Sequence, residues 1–206
     1  VSVDLASQLY LDLDLDASGL AGGALGFARP AAPGEGGRFW IGGDVETLDW
    51  GVWDSFLERY FPDDSDGRVL GGIRDLRVAE LVLFDRHFQT VRLGGLQGQD
   101  VWEIDFDTDW VAGAVKLPEP LDRIDLDLSR LDIQGLGRMM ESGPGFSRET
   151  PLPPTQISIE QLYDGDSLWG NVSFGLREAG PNLHFEGIRG ELRHLVLGGE
   201  SEEGMR

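Results

Sequence analysis

The segment Leu76–Leu93, "LRVAELVLFDRHFQTVRL", returns as Ile157–Phe174, "ISIEQLYDGDSLWGNVSF", at an offset of 157 − 76 = 81 residues. At that one offset Leu76 falls on Ile157, Val78 on Ile159, Leu81 on Leu162, Phe88 on Trp169, Val91 on Val172 and Leu93 on Phe174. Apolar and polar residues alternate within each copy, which is the period of a β-strand with one dry face. Both copies slip phase at the same place, Glu80-Leu81 and Gln161-Leu162, and this predicts a shared bulge. A second echo sets "VETLDWGVW" against "LSRLDIQGL", with Leu48 and Asp49 recurring as Leu131 and Asp132, 131 − 48 = 83 residues on. The chain is therefore built on a repeat of about 81–83 residues.

Outward from these copies the alternation continues. "LYLDLDLDASG" puts Leu9, Leu11, Leu13 and Leu15 on one side and Tyr10, Asp12, Asp14 and Asp16 on the other. Read as an EF-hand loop from Asp12, the same stretch lacks the required Gly at position 6 (Ala17) and the closing Glu at position 12 (Gly23), so it reads as a strand. "VWEIDFDTDW" and "RIDLDLS" repeat the scheme, with Ile104, Phe106, Ile124, Leu126 and Leu128 on the dry side. Further strands are expected near 20–29, 38–47, 74–84, 88–96, 111–117, 156–163, 168–176, 182–187 and 190–197, about eleven in all. Gly-, Asp- and Pro-rich turns separate them and favour antiparallel pairing. Two segments break the period: 50–61, with Trp50, Trp53, Leu57 and Tyr60 at helical spacing, and 133–141, with Asp132 as its N-cap.

One complete unit is expected at 74–155, with the end of a preceding unit at 1–73 and the start of another at 156–206. The complete unit reads as five strands, a short helix and a linker. Five antiparallel strands finish on the side opposite to their start, so the linker must cross over before the next five begin. The predicted fold is all-β with two short helices, a long, curved, mostly antiparallel sheet that forms an open hydrophobic groove.

Composition narrows the functional classes. The net charge of −20, with a pI near 4.3, opposes binding to nucleic acid or to anionic membrane surfaces, since both need clustered Lys and Arg. There is no cysteine, hence no disulfide, thiolate ligand or cysteine nucleophile. No apolar run is long enough to span a bilayer, and no signal peptide is visible. The chain opens at Val1 and closes in the polar "GGESEEGMR", which fits a piece of something longer.

Catalytic signals are sparse. G-x-S-x-G, H-E-x-x-H and P-loop patterns are missing. His87 sits in a hairpin, while His184, His194 and Glu186 could be neighbours; alternation places such groups among solvent-facing side chains, which argues against a metal site. Asp105 and Asp107 could imitate a glycosidase pair, but aspartates recur along every strand and read better as a wet face. "GLAGGALG" marks a bent strand or turn rather than a phosphate loop, and the Asn171-Val172-Ser173 triplet lies in a strand. No enzyme activity and no cofactor are expected. On periodicity alone the closed core of a β-sandwich serving binding or adhesion is favoured over an open groove.

In order and spacing, "IRDLRVAELVLFDRHFQTVRL", "WEIDFDTDWVAGAVKLP", "IDLDLSRLDI" and "ISIEQLYDGDSLWGNVSFGL" resemble the large AsmA-like envelope proteins of Gram-negative bacteria, most closely the YhdP-like branch. The resemblance covers most of 38–200. It implies a periplasmic chain anchored in the inner membrane, whose hydrophobic groove carries phospholipid acyl chains toward the outer membrane. Both membrane contacts would lie in parts of the parent chain outside this one. On that reading the lining comprises the four leucines of the opening strand, Ile41, Leu76, Val78, Val91, Leu93, Ile104, Phe106, Val115, Ile124, Leu126, Leu128, Ile157, Ile159, Val172, Phe174 and Leu176. Leu13, Leu126 and Ile159 are expected on the concave face, where a charge could still reach water.

Overall fold

The computed structural model describes residues 2–5, 8–17, 19–31, 37–49, 71–83, 86–141, 153–179, 182–193 and 195–197. Their strands are β1 (Ser2–Leu5), β2 (Leu9–Asp16), β3 (Gly19–Phe27), β4 (Phe39–Asp49), β5 (Gly71–Leu83), β6 (Arg86–Gln97), β7 (Val101–Asp107), β8 (Val111–Pro118), β9 (Ile124–Asp132), β10 (Thr155–Asp164), β11 (Ser167–Ala179), β12 (Asn182–Leu192) and β13 (Leu195–Leu197). One helix, α1 (Ile133–Glu141), follows β9. All thirteen strands belong to a single sheet in sequence order, which does not close into a barrel. At about 4.8 Å per strand this long, curved sheet extends on the order of 60 Å.

Nine of the twelve neighbouring pairs are antiparallel; β3–β4, β4–β5 and β9–β10 are parallel. The strands β5 to β9 thus run as five antiparallel neighbours between two parallel joins. Both joins keep the same register. Val45 lies opposite Val78 and Leu48 opposite Leu81 at the first, as Leu128 lies opposite Ile159 and Leu131 opposite Leu162 at the second. The three-residue step from Val78 to Leu81 and from Ile159 to Leu162 is the predicted phase slip, but the bulge is not shared: β10 bulges against β11, whereas β5 and β6 take the step together without a register shift. On β6 the step is matched by Thr90, whose φ of 55° places a β-branched residue in the left-handed region.

Several expectations need correcting. Among the described residues the eleven longer strands, β2 to β12, are flanked by two short ones, β13 and β1, the latter not foreseen. The segments 182–187 and 190–197 are not separate strands, since β12 runs through to Leu192 before the short β13. The glycine-rich stretch forms β3, and its parallel join to β4 departs from the expected hairpin pairing. A two-sheet sandwich is not what the described strands form. The predicted helix at 133–141 is α1; the one near 50–61 lies outside the described residues.

The start of α1 follows from its cap. The Asp132 carboxylate accepts the Gln134 N–H at 3.1 Å and the Gly165 N–H at 3.0 Å, so one side chain both caps the helix and ties it to the β10–β11 turn. Gln134 Nε2 donates to Asp164 in the same turn at 2.8 Å. Gly135 lies directly against the Trp110 side chain, leaving no room for a Cβ, and Trp110 in turn stacks on Phe88 with ring centroids 6.1 Å apart.

Candidate functional site

Register places every predicted lining residue on one face of the sheet. One row of paired positions crosses eleven strands: Leu9, Phe27, Gly43, Leu76, Leu93 and Phe106, then Gly113, Leu128, Ile159, Val172 and Gly190. A second row runs beside it through Leu11, Leu25, Ile41, Ile73, Gly95 and Ile104, then Val115, Leu126, Ile157 and Phe174. No charged residue interrupts either row. Val78 and Val91 extend the face on one side of these rows, Ile124 and Leu176 on the other. Leu13 and Leu15 complete it on β2.

Burial is uneven across this face. Leu76, Val78, Val91, Leu128 and Ile159 are between 1% and 5% exposed, inside two clusters. The first gathers Leu48, Leu76, Val78, Leu81 and Val91 beneath Phe27, Val45, Ile73, Phe88 and Leu93. The second gathers Val111, Leu128, Leu131, Ile159 and Leu162, with Ile133 and Leu136 of α1 packed against them. These positions form the floor of the face rather than an accessible lining. Leu13 and Leu126 are half-buried while Ile159 is 4% exposed, so the three do not share the access to water foreseen for them. The second row, from Leu11 to Phe174, is half-buried, and Leu15 is exposed.

The two long edges of the face differ. At the edge formed by the ends of β9 and β10 and the start of β8, α1, Trp110 and Phe88 cover the apolar side chains. The opposite edge is formed by the starts of β4, β5, β7 and β9 and the ends of β6 and β8. There the Gln97 side chain accepts the Gly71 N–H at 2.9 Å, and Arg38 donates to the Gln97 carbonyl at 2.6 Å. The Trp102 ring comes up against Gly71, and the Glu119 N–H donates to the Asp100 carbonyl at 2.8 Å, joining two turns. Alternation placed Trp102 on the apolar face but had not singled out Arg38 or Gln97, because their role depends on which strand ends meet.

The other face is wet and acidic, apart from an apolar patch at the edge opposite α1, where Ala24, Trp40, Leu96 and Val101 lie on it. Asp12, Asp14, Asp105, Asp107 and Asp127 are exposed on it. Arg29 bridges Asp44 at 2.9 Å and Asp75 at 2.8 Å, while Arg77 and Arg92 approach Asp75 from β5 and β6. The hydrogen bond to Asp44 does most to raise the Arg29 pKa. For Asp75, burial works toward a higher pKa, but Arg29 and Arg77 outweigh it and hold the carboxyl below its ordinary value. In that patch Trp40 is 6% exposed; its ring rests on Gly72 and carries the Arg74 guanidinium at 4.1 Å. A Cβ on Gly72 would come within 2.6 Å of that ring.

The candidate chemical groups fall on this wet face or at turns. Asp105 and Asp107 line an open trough of about 540 Å³ with Ala112, Ala114, Asp127 and Glu160. His87 is exposed with Nδ1 2.8 Å from Glu80, and His184 is exposed near Glu186, itself 3.8 Å from Arg177. His194 lies outside the described residues. Among the described residues no three His, Asp or Glu side chains are grouped as metal ligands. No helix described is long and apolar enough to cross a membrane. Compared with known proteins, the chain matches no family model, no curated protein and no solved structure. The likeness to the AsmA-like proteins therefore rests on the residues quoted for it.

Proposed function

We propose that this chain is a segment of a YhdP-like, AsmA-like protein, a periplasmic bridge whose apolar groove carries phospholipid acyl chains between the inner and outer membranes. The observation that supports this reading most is the pair of uncharged rows running the length of the sheet, with the second row half-exposed. Each methylene moved from water onto such a row gains about 0.8 kcal/mol. Because the row is similar at every strand, a chain sliding along it meets no deep minimum. The aspartates on the opposite face keep that side hydrated and discourage sheets from stacking. The parent chain would be anchored in the inner membrane, and no catalytic step or cofactor enters the scheme.

A non-catalytic binding or adhesion module is the alternative, its exposed aromatics and leucines meeting a protein or sugar instead of a lipid. Native mass spectrometry of the chain after incubation with phospholipid vesicles separates the two. Phospholipid adducts released only on unfolding support the groove. Their absence at saturating lipid, with the fold intact, refutes it.

A further inference from the structure

Resting on the groove reading, we infer that lipids lie with their headgroups over the edge opposite α1, and that this edge selects against headgroups of net negative charge. The orientation comes from the asymmetry of the face. Ile133, Leu136 and Trp110 fill the α1 edge, and the core residues beside it are sealed. A headgroup there would have to displace packed side chains and lose water. At the other edge the face is half-exposed, and large apolar side chains stand open to solvent: Leu15 at 60%, Leu121 at 53% and Phe185 at 60%, while Leu96 and Val101, also exposed at this edge, point to the wet face with Glu103. Leu168 and Trp169 are exposed at the α1 edge, on the strand beyond the helix. Half-buried Trp102 sits at the open edge with an apolar ring and a polar N–H, the combination suited to an apolar–water boundary.

The selectivity comes from what the open edge offers a phosphate. Its two turns carry Asp100, Glu119 and Asp122, all exposed. Of its basic side chains, Arg123 is 2.9 Å from Asp125, and Arg38 is engaged with the Gln97 carbonyl. Farther onto the wet face, Lys116 lies between Glu103 and Asp127, and Arg130 meets Asp107. A zwitterionic headgroup carries its own ammonium to these carboxylates, whereas a net anionic one meets them uncompensated. At a separation near one Debye length each carboxylate disfavours an extra negative charge about twofold, so Asp100 and Asp122 together give a several-fold preference that salt removes.

The test incubates the chain with vesicles of equimolar phosphatidylcholine and phosphatidylglycerol with matched acyl chains, and counts adducts by native mass spectrometry. Phosphatidylcholine should exceed phosphatidylglycerol several-fold at 50 mM salt and fall toward parity at 500 mM. Asp100→Lys with Asp122→Lys should erase or reverse the preference, and the milder Asp100→Asn with Asp122→Asn should reduce it if the lysines disturb folding. Asp109→Lys with Asp166→Lys, at the α1 edge, should leave it unchanged. Equal or greater phosphatidylglycerol loading by the unaltered chain overturns the selectivity. An equal shift from the α1-edge variant overturns the orientation. Loading of neither lipid overturns the groove reading and this inference with it.

Discussion

Ile159→Asp and Leu126→Asp place the same carboxylate on the same apolar face, on adjacent strands, and should behave differently. Ile159 is 4% exposed within the cluster of Val111, Leu128, Leu131 and Leu162. Its replacement forfeits roughly 2–3 kcal/mol of burial and adds several kcal/mol for an unpaired buried charge, on the order of 5 kcal/mol together. That is a large part of the roughly 5–15 kcal/mol typical of a folded protein. At about 2–4 °C per kcal/mol for a chain of this size, melting should fall by roughly 10–20 °C or the fold should be lost. Leu126 is half-buried in the open row, opposite Ile157 and Val115. There the carboxylate can turn to water, the loss is about 1 kcal/mol, and melting should fall by only a few degrees. A lipid crossing Leu126→Asp would have to strip water from that charge, so loading should fail in a folded protein. Differential scanning calorimetry, read beside vesicle-to-protein lipid transfer, decides the matter. Equal melting losses at the two positions would refute the division into sealed floor and open row. Normal loading by Leu126→Asp would refute the path along that row.

Three further outcomes are expected. Asp132→Ala removes the cap of α1 and its tie to Gly165 together; it should cost about 1–2 kcal/mol and raise hydrogen exchange at the first turn of α1 and at Gly165, whereas unchanged protection would show the helix held by packing alone. Thr90→Asn relieves a β-branched residue at φ 55° and should raise the melting temperature by a few degrees, since such a conformation costs about 1–3 kcal/mol; a lower melting temperature would mean that the Thr90 side chain contributes more than its backbone costs. The Asp75 carboxyl, depressed by its arginine partners, supports the fold above its ordinary pKa and loses that support as pH falls through its lower folded value; a carbon-detected NMR titration should find it below the ordinary value of an aspartate, and Asp75→Asn should flatten the acid limb of the stability curve.

Much of this architecture was legible because burial is one-sided. Where one face is dry, the two-residue period names the face of each side chain, and a residue such as Val115 or Phe174 could be assigned without knowing its neighbours. The slip at Leu81 and Leu162 was visible because both copies break the period together. Helix α1 was visible because Asp132 caps a segment that abandons it. The parallel join of β3 to β4 was not, since a strand of Gly, Ala and Leu gives no alternation, and the crossover after it carries no helical pattern. Trp40 was hidden for a related reason: alternation assigns it to the wet face, and only the missing Cβ of Gly72 makes room for its ring there. Alternation also cannot tell floor from opening. Leu126 and Leu128 look alike in sequence, yet Leu128 falls in the row sealed beside α1 and Leu126 in the row that stays half-exposed.

That last distinction depends on the parallel joins. Had β9 and β10 paired with a shift of one residue, every apolar side chain of the following strands would have turned to the wet face. A shift of two would keep the face but misalign the rows, setting Leu126 against Ile159 and leaving the floor stepped. The observed register sets Leu126 against Ile157 and Leu128 against Ile159, as the earlier join sets Ile41 against Ile73 and Val45 against Val78. At the β9–β10 join the rows therefore pass without a step, whereas at the β4–β5 join one extra residue of β5, between Ile73 and Leu76, shifts the register between the two rows. The Asp132 cap contributes to this alignment: by holding both the helix and the Gly165 turn at the far end of β10, it fixes where β10 lies along β9. An apolar path longer than any one repeat needs that continuity, and the local hydrogen bonds of a capped helix supply it at the join where α1 lies.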